Sequence, residues 1–226
     1  MSKLFVFTLG FEEKYVVRML TRHSVEHEDL LLAITGPRTP MSERAIRTLA
    51  DFLSKYYGSS VGLEVVETNP AAGFGELVET IHDEVSRRLP RFDNALFNLS
   101  GGMRTICLAA LVAAQILSIS HPGKVSVELE TEDSSIVIPL PPAVLLLPRA
   151  VRELTSEKVA VLSQLFTPST AKAVAAKLAR DESSVRRHLA ALASLGLVRP
   201  RGERPRKYVA TPVGRALVRA LSRGEQ

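Results

Sequence analysis

Tryptophan is absent from this 226-residue chain, cysteine occurs once, and asparagine and glutamine occur three times each. The single thiol, Cys107, excludes an internal disulfide and a cysteine-rich metal site. It sits in an apolar helical pattern, the usual setting of a buried structural thiol. Long apolar runs are also missing: the longest, Ile106 to Leu117, is too short to cross a bilayer, so no membrane partner is expected. The N-terminus enters Leu4-Phe5-Val6-Phe7 without a signal-peptide pattern, which predicts a cytoplasmic protein. With 46% hydrophobic and 23% charged residues the chain is neither disordered nor fibrous. Its length suits one medium and one small domain. Few amides beside many Arg and Glu lean towards a heat-adapted composition.

The charge is divided unevenly. Residues 1–150 hold 14 Lys and Arg against 18 Asp and Glu, whereas residues 151–226 hold 15 against 6. A surplus of nine positive charges on the last 76 residues is what binding a polyanion requires, because each neutralised phosphate releases condensed counterions.

Hydrophobic periodicity divides the first 140 residues into alternating strands and helices. Leu4–Leu9, Leu30–Ile34, Leu63–Val66 and Ala95–Leu99 read as buried strands, each followed by a helical pattern, with Ser42 as the cap of the second helix. Lys124–Thr131 and Ser135–Leu140 read as an antiparallel hairpin. The expected fold is α/β: a Rossmann-like parallel sheet with an antiparallel edge hairpin over residues 1–141. Pro139, Pro141, Pro142 and Pro148 then predict an extended linker over 142–153.

Residues 154–226 read as three short helices, a basic hairpin from Val198 to Ala210, and a last helix opened by Thr211-Pro212, the spacing of a winged helix-turn-helix. Asp181 is the natural N-cap of the third helix, whose exposed residues include Ser183, Ser184, Arg186, Arg187 and His188. Such residues meet base edges and phosphates when a helix enters the major groove. Arg199, Arg201, Arg204, Arg206 and Lys207 place five cations in nine positions of the hairpin. Double-stranded DNA is the expected partner of this domain.

Two strand ends carry the chemistry of the first domain. Thr8, Leu9, Gly10 and Phe11 close the first strand; Ser100, Gly101, Gly102, Met103 and Arg104 follow the fourth. In open parallel sheets ligands bind beyond the carboxyl ends of strands where the winding reverses. A Gly-Gly turn leading into a helix can gather backbone N–H groups on an anion, and Arg104 adds a bidentate donor. The same turn also serves tight strand–helix packing. It is neither a Walker loop nor a dinucleotide fingerprint.

Taken together, Thr8-Leu9-Gly10-Phe11, Asn98-Leu99-Ser100-Gly101-Gly102-Met103-Arg104 and the C-terminal winged helix resemble the CRISPR-associated Rossmann-fold (CARF) transcriptional regulators of archaea, over nearly the whole chain. The resemblance implies a homodimer that binds a cyclic oligoadenylate, commonly cyclic tetra-adenylate, across a joint two-fold pocket, with Thr8 to Phe11 and Ser100 to Arg104 as the binding residues. Gly36-Pro37-Arg38 and Gly73-Phe74-Gly75 are secondary contacts by the same resemblance, or ordinary loop residues. The apolar helix Ile106–Leu117 fits either the dimer interface or a central core. No cofactor, metal or catalytic residue is assigned, since none of the five histidines lies in either loop. Two alternatives stand beside the regulator: a slow, metal-independent ring nuclease of cyclic tetra-adenylate, and a generic winged-helix repressor that senses another nucleotide.

Overall fold

The computed structural model describes residues 2–58, 61–133, 135–202 and 205–223. The chain forms two compact units, Met1–Leu140 and Pro141–Gln226.

In the first unit β1 (Lys3–Leu9), α1 (Lys14–His23), β2 (Leu30–Thr35), α2 (Pro40–Tyr57), β3 (Gly62–Glu67), α3 (Phe74–Arg88), β4 (Asn94–Asn98), α4 (Arg104–Ser120), β5 (Val125–Glu130) and β6 (Val137–Pro139) follow in order. They build a six-stranded sheet ordered β3-β2-β1-β4-β5-β6, parallel except for β6, which runs antiparallel to β5. Strands covered on both faces need apolar residues at every position. Leu4, Phe5, Val6 and Phe7 are accordingly all fully buried. One face packs Phe5, Phe7, Leu31 and Ala33 with Val16, Met19 and Leu20 of α1 and Leu49 of α2. The β6 edge is a poor template for further pairing, since the strand has three residues and ends in a proline.

The cap of α2 lies three residues earlier than the sequence pattern suggests. Thr39 is the N-cap, Pro40 opens the helix, and Ser42 is the third helical residue, which completes a reciprocal capping box with Thr39. A hydroxyl at both positions satisfies two otherwise unpaired N–H groups, and proline at the first position has none to satisfy.

In the second unit α5 (Pro142–Leu145), α6 (Leu147–Glu153), α7 (Ser156–Ser163), β7 (Ser169–Thr170), α8 (Ala171–Leu178), α9 (Glu182–Ser194), β8 (Val198–Arg201), β9 (Lys207–Ala210) and α10 (Pro212–Arg223) surround one core. The strands form a small antiparallel sheet in the order β7-β9-β8. The extended stretch expected at 142–153 is instead two short helices, whose Ala143 and Ala150 are fully buried in that core. Proline is tolerated in the first turn of a helix, and Pro142 and Pro148 both stand there. Val185, Leu189 and Leu192 of α9 face Val174 and Ala175 of α8 within the same core.

Candidate functional site

The sheet order reverses between β1 and β4, so the chain leaves these neighbouring strands in opposite directions and opens a crevice at their carboxyl ends. The loops lining it touch. A Cβ on Gly10 would stand 2.9 Å from the Gly102 Cα, a backbone atom that cannot move aside. Gly102 has φ +85°, a conformation that L side chains rarely adopt, and a Cβ there would meet Thr8 Cβ at 3.2 Å. The third strand end joins them through Met103, whose sulfur lies over Gly36.

The first hydrogen bond of α4 runs from the Cys107 N–H to the Met103 carbonyl at 3.0 Å. Among the described residues the N–H groups of Gly101, Gly102, Met103, Arg104, Thr105 and Ile106 therefore have no partner. They gather at the positive end of the 17-residue helix α4. The exposed Arg104 side chain makes no ion pair among the described residues. Phe11 (59% exposed) and Met103 (46% exposed) offer large uncovered side chains beside this cluster of donors. The arrangement can hold an anion by directed hydrogen bonds and an aromatic ring by contact.

The predicted residues do not all present their side chains. Thr8 and Leu9 are buried, and the Thr8 hydroxyl donates to the Gly101 carbonyl. Gly36 is partly exposed and Pro37 exposed at the end of β2. Gly73 caps α3 with φ +115°, and Phe74 is exposed.

Tyr15 of α1 is a site-side residue that sequence reasoning missed. Its ring lies beside Gly101, its hydroxyl donates to the Glu132 carbonyl at 3.5 Å, and the Lys14 ammonium stands 5.1 Å from the ring centroid. An aromatic residue in the first turn after the site strand was the available signal.

Sequence reasoning also missed what fixes Ser100. Its hydroxyl accepts the Glu130 N–H at 2.8 Å, and its own N–H donates to Asn98 Oδ1 at 3.2 Å. Asn98 Nδ2 in turn donates to Glu128. Glu128 and Glu130 of β5 are buried charges, held by Arg18, Arg22 and His23 reaching over from α1. A buried carboxylate is tolerated only when paired in this way. Burial pushes the Glu128 carboxyl up, but hydrogen bonds from His23, Arg22 and Asn98 outweigh it and hold the group below its ordinary value. A carboxylate depressed in the folded state stabilises the fold above the ordinary carboxylate range, about pH 4.3. That contribution is lost as pH falls through the lower folded value. Wild type should therefore lose stability between pH 5 and the acid transition more steeply than Glu128→Gln, and the variant should be weaker by about 1–3 kcal/mol at pH 7. Urea unfolding at a series of pH values measures both.

In the second unit Asp181 caps α9, accepting the N–H groups of Ser183 and Ser184. Ser183, Arg186 and Arg187 are exposed, with Arg186 paired to Glu182. His188 is turned instead towards α7, its side chain 15% exposed and 3.5 Å from Glu157, and Ser184 is partly buried. Arg199, Arg201, Arg206 and Lys207 are all exposed, and Arg201 lies opposite Lys207 across the β8–β9 pair. Arg204 falls outside the described residues. No group of three or more His, Cys, Asp or Glu able to hold a metal occurs among the described residues, and no helix there is long and apolar enough to cross a membrane.

Residues 159–220 match the model of an O-methyltransferase dimerisation domain. Csm6 of Enterococcus italicus, solved bound to cyclic hexa-2′-fluoro-hexa-dAMP, is 10% identical over 85% of this chain and 54% of its own, with a TM-score of 0.51. Protein VC1899 of Vibrio cholerae is 11% identical over 96% and 64% (TM-score 0.49). Can2 of Sulfobacillus thermosulfidooxidans, in complex with cyclic tetra-adenylate, is 14% identical over 61% and 34% (TM-score 0.45). The chain thus spans between about a third and two thirds of the length of these proteins. No curated protein matches it. The Csm6 likeness is one of fold, while the sheet order, the Ser-Gly-Gly turn and a sequence match over residues 3–141 together assign the chain to the family of Csa3 CRISPR-associated Rossmann-like (CARF) domains.

Proposed function

We propose that the protein is a homodimeric, cyclic-oligoadenylate-responsive transcriptional regulator, with cyclic tetra-adenylate as ligand and double-stranded DNA as second partner. The observation that carries the first half is the contact of Gly10 with Gly102 at the switch point, which leaves six N–H groups and the unpaired Arg104 around one crevice. A ring of four phosphates is a symmetric polyanion, and a two-fold dimer supplies each loop twice. Leu108, Ile116 and Ile119 of α4 are exposed apolar residues, which supports pairing through that helix. The ligand contacts in this reading are Gly10, Phe11, Gly36, Pro37, Ser100, Gly101, Gly102, Met103 and Arg104, with Tyr15 offering a further aromatic face. The first unit is acidic overall, so recognition rests on directed hydrogen bonds rather than on net field.

The second unit fits a winged helix-turn-helix. Its α8–α9 pair supplies the turn and the reading helix, and β8–β9 forms the basic wing with Arg199, Arg201, Arg206 and Lys207 uncovered. The match of residues 159–220 to a dimerisation domain favours a second reading, in which this unit pairs protomers and touches no DNA.

Thermal unfolding of the full chain with cyclic tri-, tetra- and hexa-adenylate, linear tetra-adenylate and mononucleotides tests the ligand. Cyclic tetra-adenylate should raise the Tm most, since a ligand that binds only the folded state stabilises it. Equal stabilisation by the linear chain, or none by any ring, contradicts the reading.

A further inference from the structure

The Gly101 carbonyl is turned into the protein, where it accepts two hydrogen bonds. Thr8 Oγ1 donates to it at 2.5 Å and Cys107 Sγ at 3.0 Å, and the two donors lie 3.4 Å apart. A carbonyl oxygen has two lone pairs, so this one is saturated. Thr8 is 1% exposed near the end of β1, and Cys107 stands in the first turn of α4. Burial is the main influence on the Cys107 thiol and pushes it up, which favours the protonated, donating form.

The geometry of one peptide bond gives this pair a consequence. In a trans peptide the C=O of one residue and the N–H of the next lie in a plane and point in opposite directions. Anchoring the Gly101 oxygen against Thr8 and Cys107 therefore sends the Gly102 N–H the other way, and that N–H has no partner among the described residues. Two successive glycines would otherwise leave this plane free to flip, because neither has a Cβ to oppose it.

We infer that Thr8 and Cys107 are positioning residues: from two different elements they lock the Gly101–Gly102 peptide plane, so that the Gly102 N–H is held aimed away from the core for an anion in the crevice. This rests on the crevice being the cyclic-oligoadenylate site proposed above. Neither side chain touches the ring; both act on it through one peptide. Thr8 thereby leaves the group of direct ligand contacts.

The test uses the full chain with 15N-labelled glycine, calorimetry with cyclic tetra-adenylate, and the Gly102 amide resonance. Thr8→Val keeps the shape and removes the donor, while Thr8→Ser keeps the donor; Cys107→Ala and Cys107→Ser form the same contrast. Thr8→Val and Cys107→Ala should each weaken binding by about tenfold and together by about a hundredfold, the range for loss of hydrogen bonds to a charged group. Both serine variants should bind close to wild type. The ligand-induced shift of the Gly102 amide should shrink in the donorless variants and return in the serine ones, which a general loss of stability would not produce. If Thr8→Val does not fold, the Cys107 pair carries the comparison. Wild-type affinity and an unchanged Gly102 response in the donorless variants would overturn the inference. A wild type that binds no ring overturns the proposed function instead. The positioning claim is then read from the ligand-free Gly102 resonance, which must move in the double donorless variant and would contradict the claim by staying in place.

Discussion

Replacing Gly10 by valine is expected to weaken cyclic tetra-adenylate binding by at least a hundredfold, about 2.7 kcal/mol, with the sheet beneath still folded. The reason is steric and local. The first new carbon at residue 10 would stand 2.9 Å from the Gly102 Cα and 3.2 Å from its nitrogen, both backbone atoms. The β1 and β4 loops must then separate, which removes Gly102 from the row of donors. Residues Leu4 to Phe7, which supply the buried body of β1, are untouched. Arg104→Ala is the milder companion, losing one charge-assisted contact worth about 1.5–3 kcal/mol without moving the backbone. Calorimetry beside circular dichroism separates the two effects. A Gly10→Val protein that binds the ring as wild type does would show that the two loops do not act as one site.

The second large effect concerns DNA. Arg201, Arg206 and Lys207 stand exposed on or beside β8 and β9, and Arg187 on α9 near the Asp181 cap; none of the four is in a close ion pair among the described residues. If each meets a phosphate, log affinity should fall with log salt by about 0.9 per contact. The triple variant Arg201→Ala, Arg206→Ala, Lys207→Ala should thus flatten the salt slope by about three for each wing bound and weaken binding at least tenfold at 0.1 M salt, with sequence preference largely kept. Arg187→Ala should relax preference as well if its guanidinium reaches a base. Fluorescence anisotropy over a salt series reads both. An unchanged slope in the triple variant, with dimerisation weakened instead, would favour the role suggested by the dimerisation-domain match.

What the sequence made legible follows from range. The buried strands stand out because parallel strands covered on both faces are continuous apolar runs, and Leu4–Phe7 and Leu31–Ile34 announce themselves within a few residues. The Ser-Gly-Gly turn is equally local. Its supports are not: Ser100 is fixed by Glu130 across 30 residues, and Glu128 by His23 across 105, distances at which a single sequence carries no pairing signal. The helices over 142–153 were hidden because prolines that stop a helix from continuing are also well suited to begin one. His188 shows the limit of periodicity. It follows Val185 by three positions, at the margin of the apolar face of α9, and Glu157 of α7 rather than solvent decides which way it turns.

Calorimetric titration of the wild-type chain with cyclic tetra-adenylate, against linear tetra-adenylate as reference, decides whether the paired crevices recognise a ring. Saturable binding of one ring per two chains is expected, with the linear molecule far weaker because it cannot satisfy both copies of the Gly10–Gly102 crevice at once. Absence of ring binding, or binding of one ring to each chain with the linear form equally tight, would contradict it.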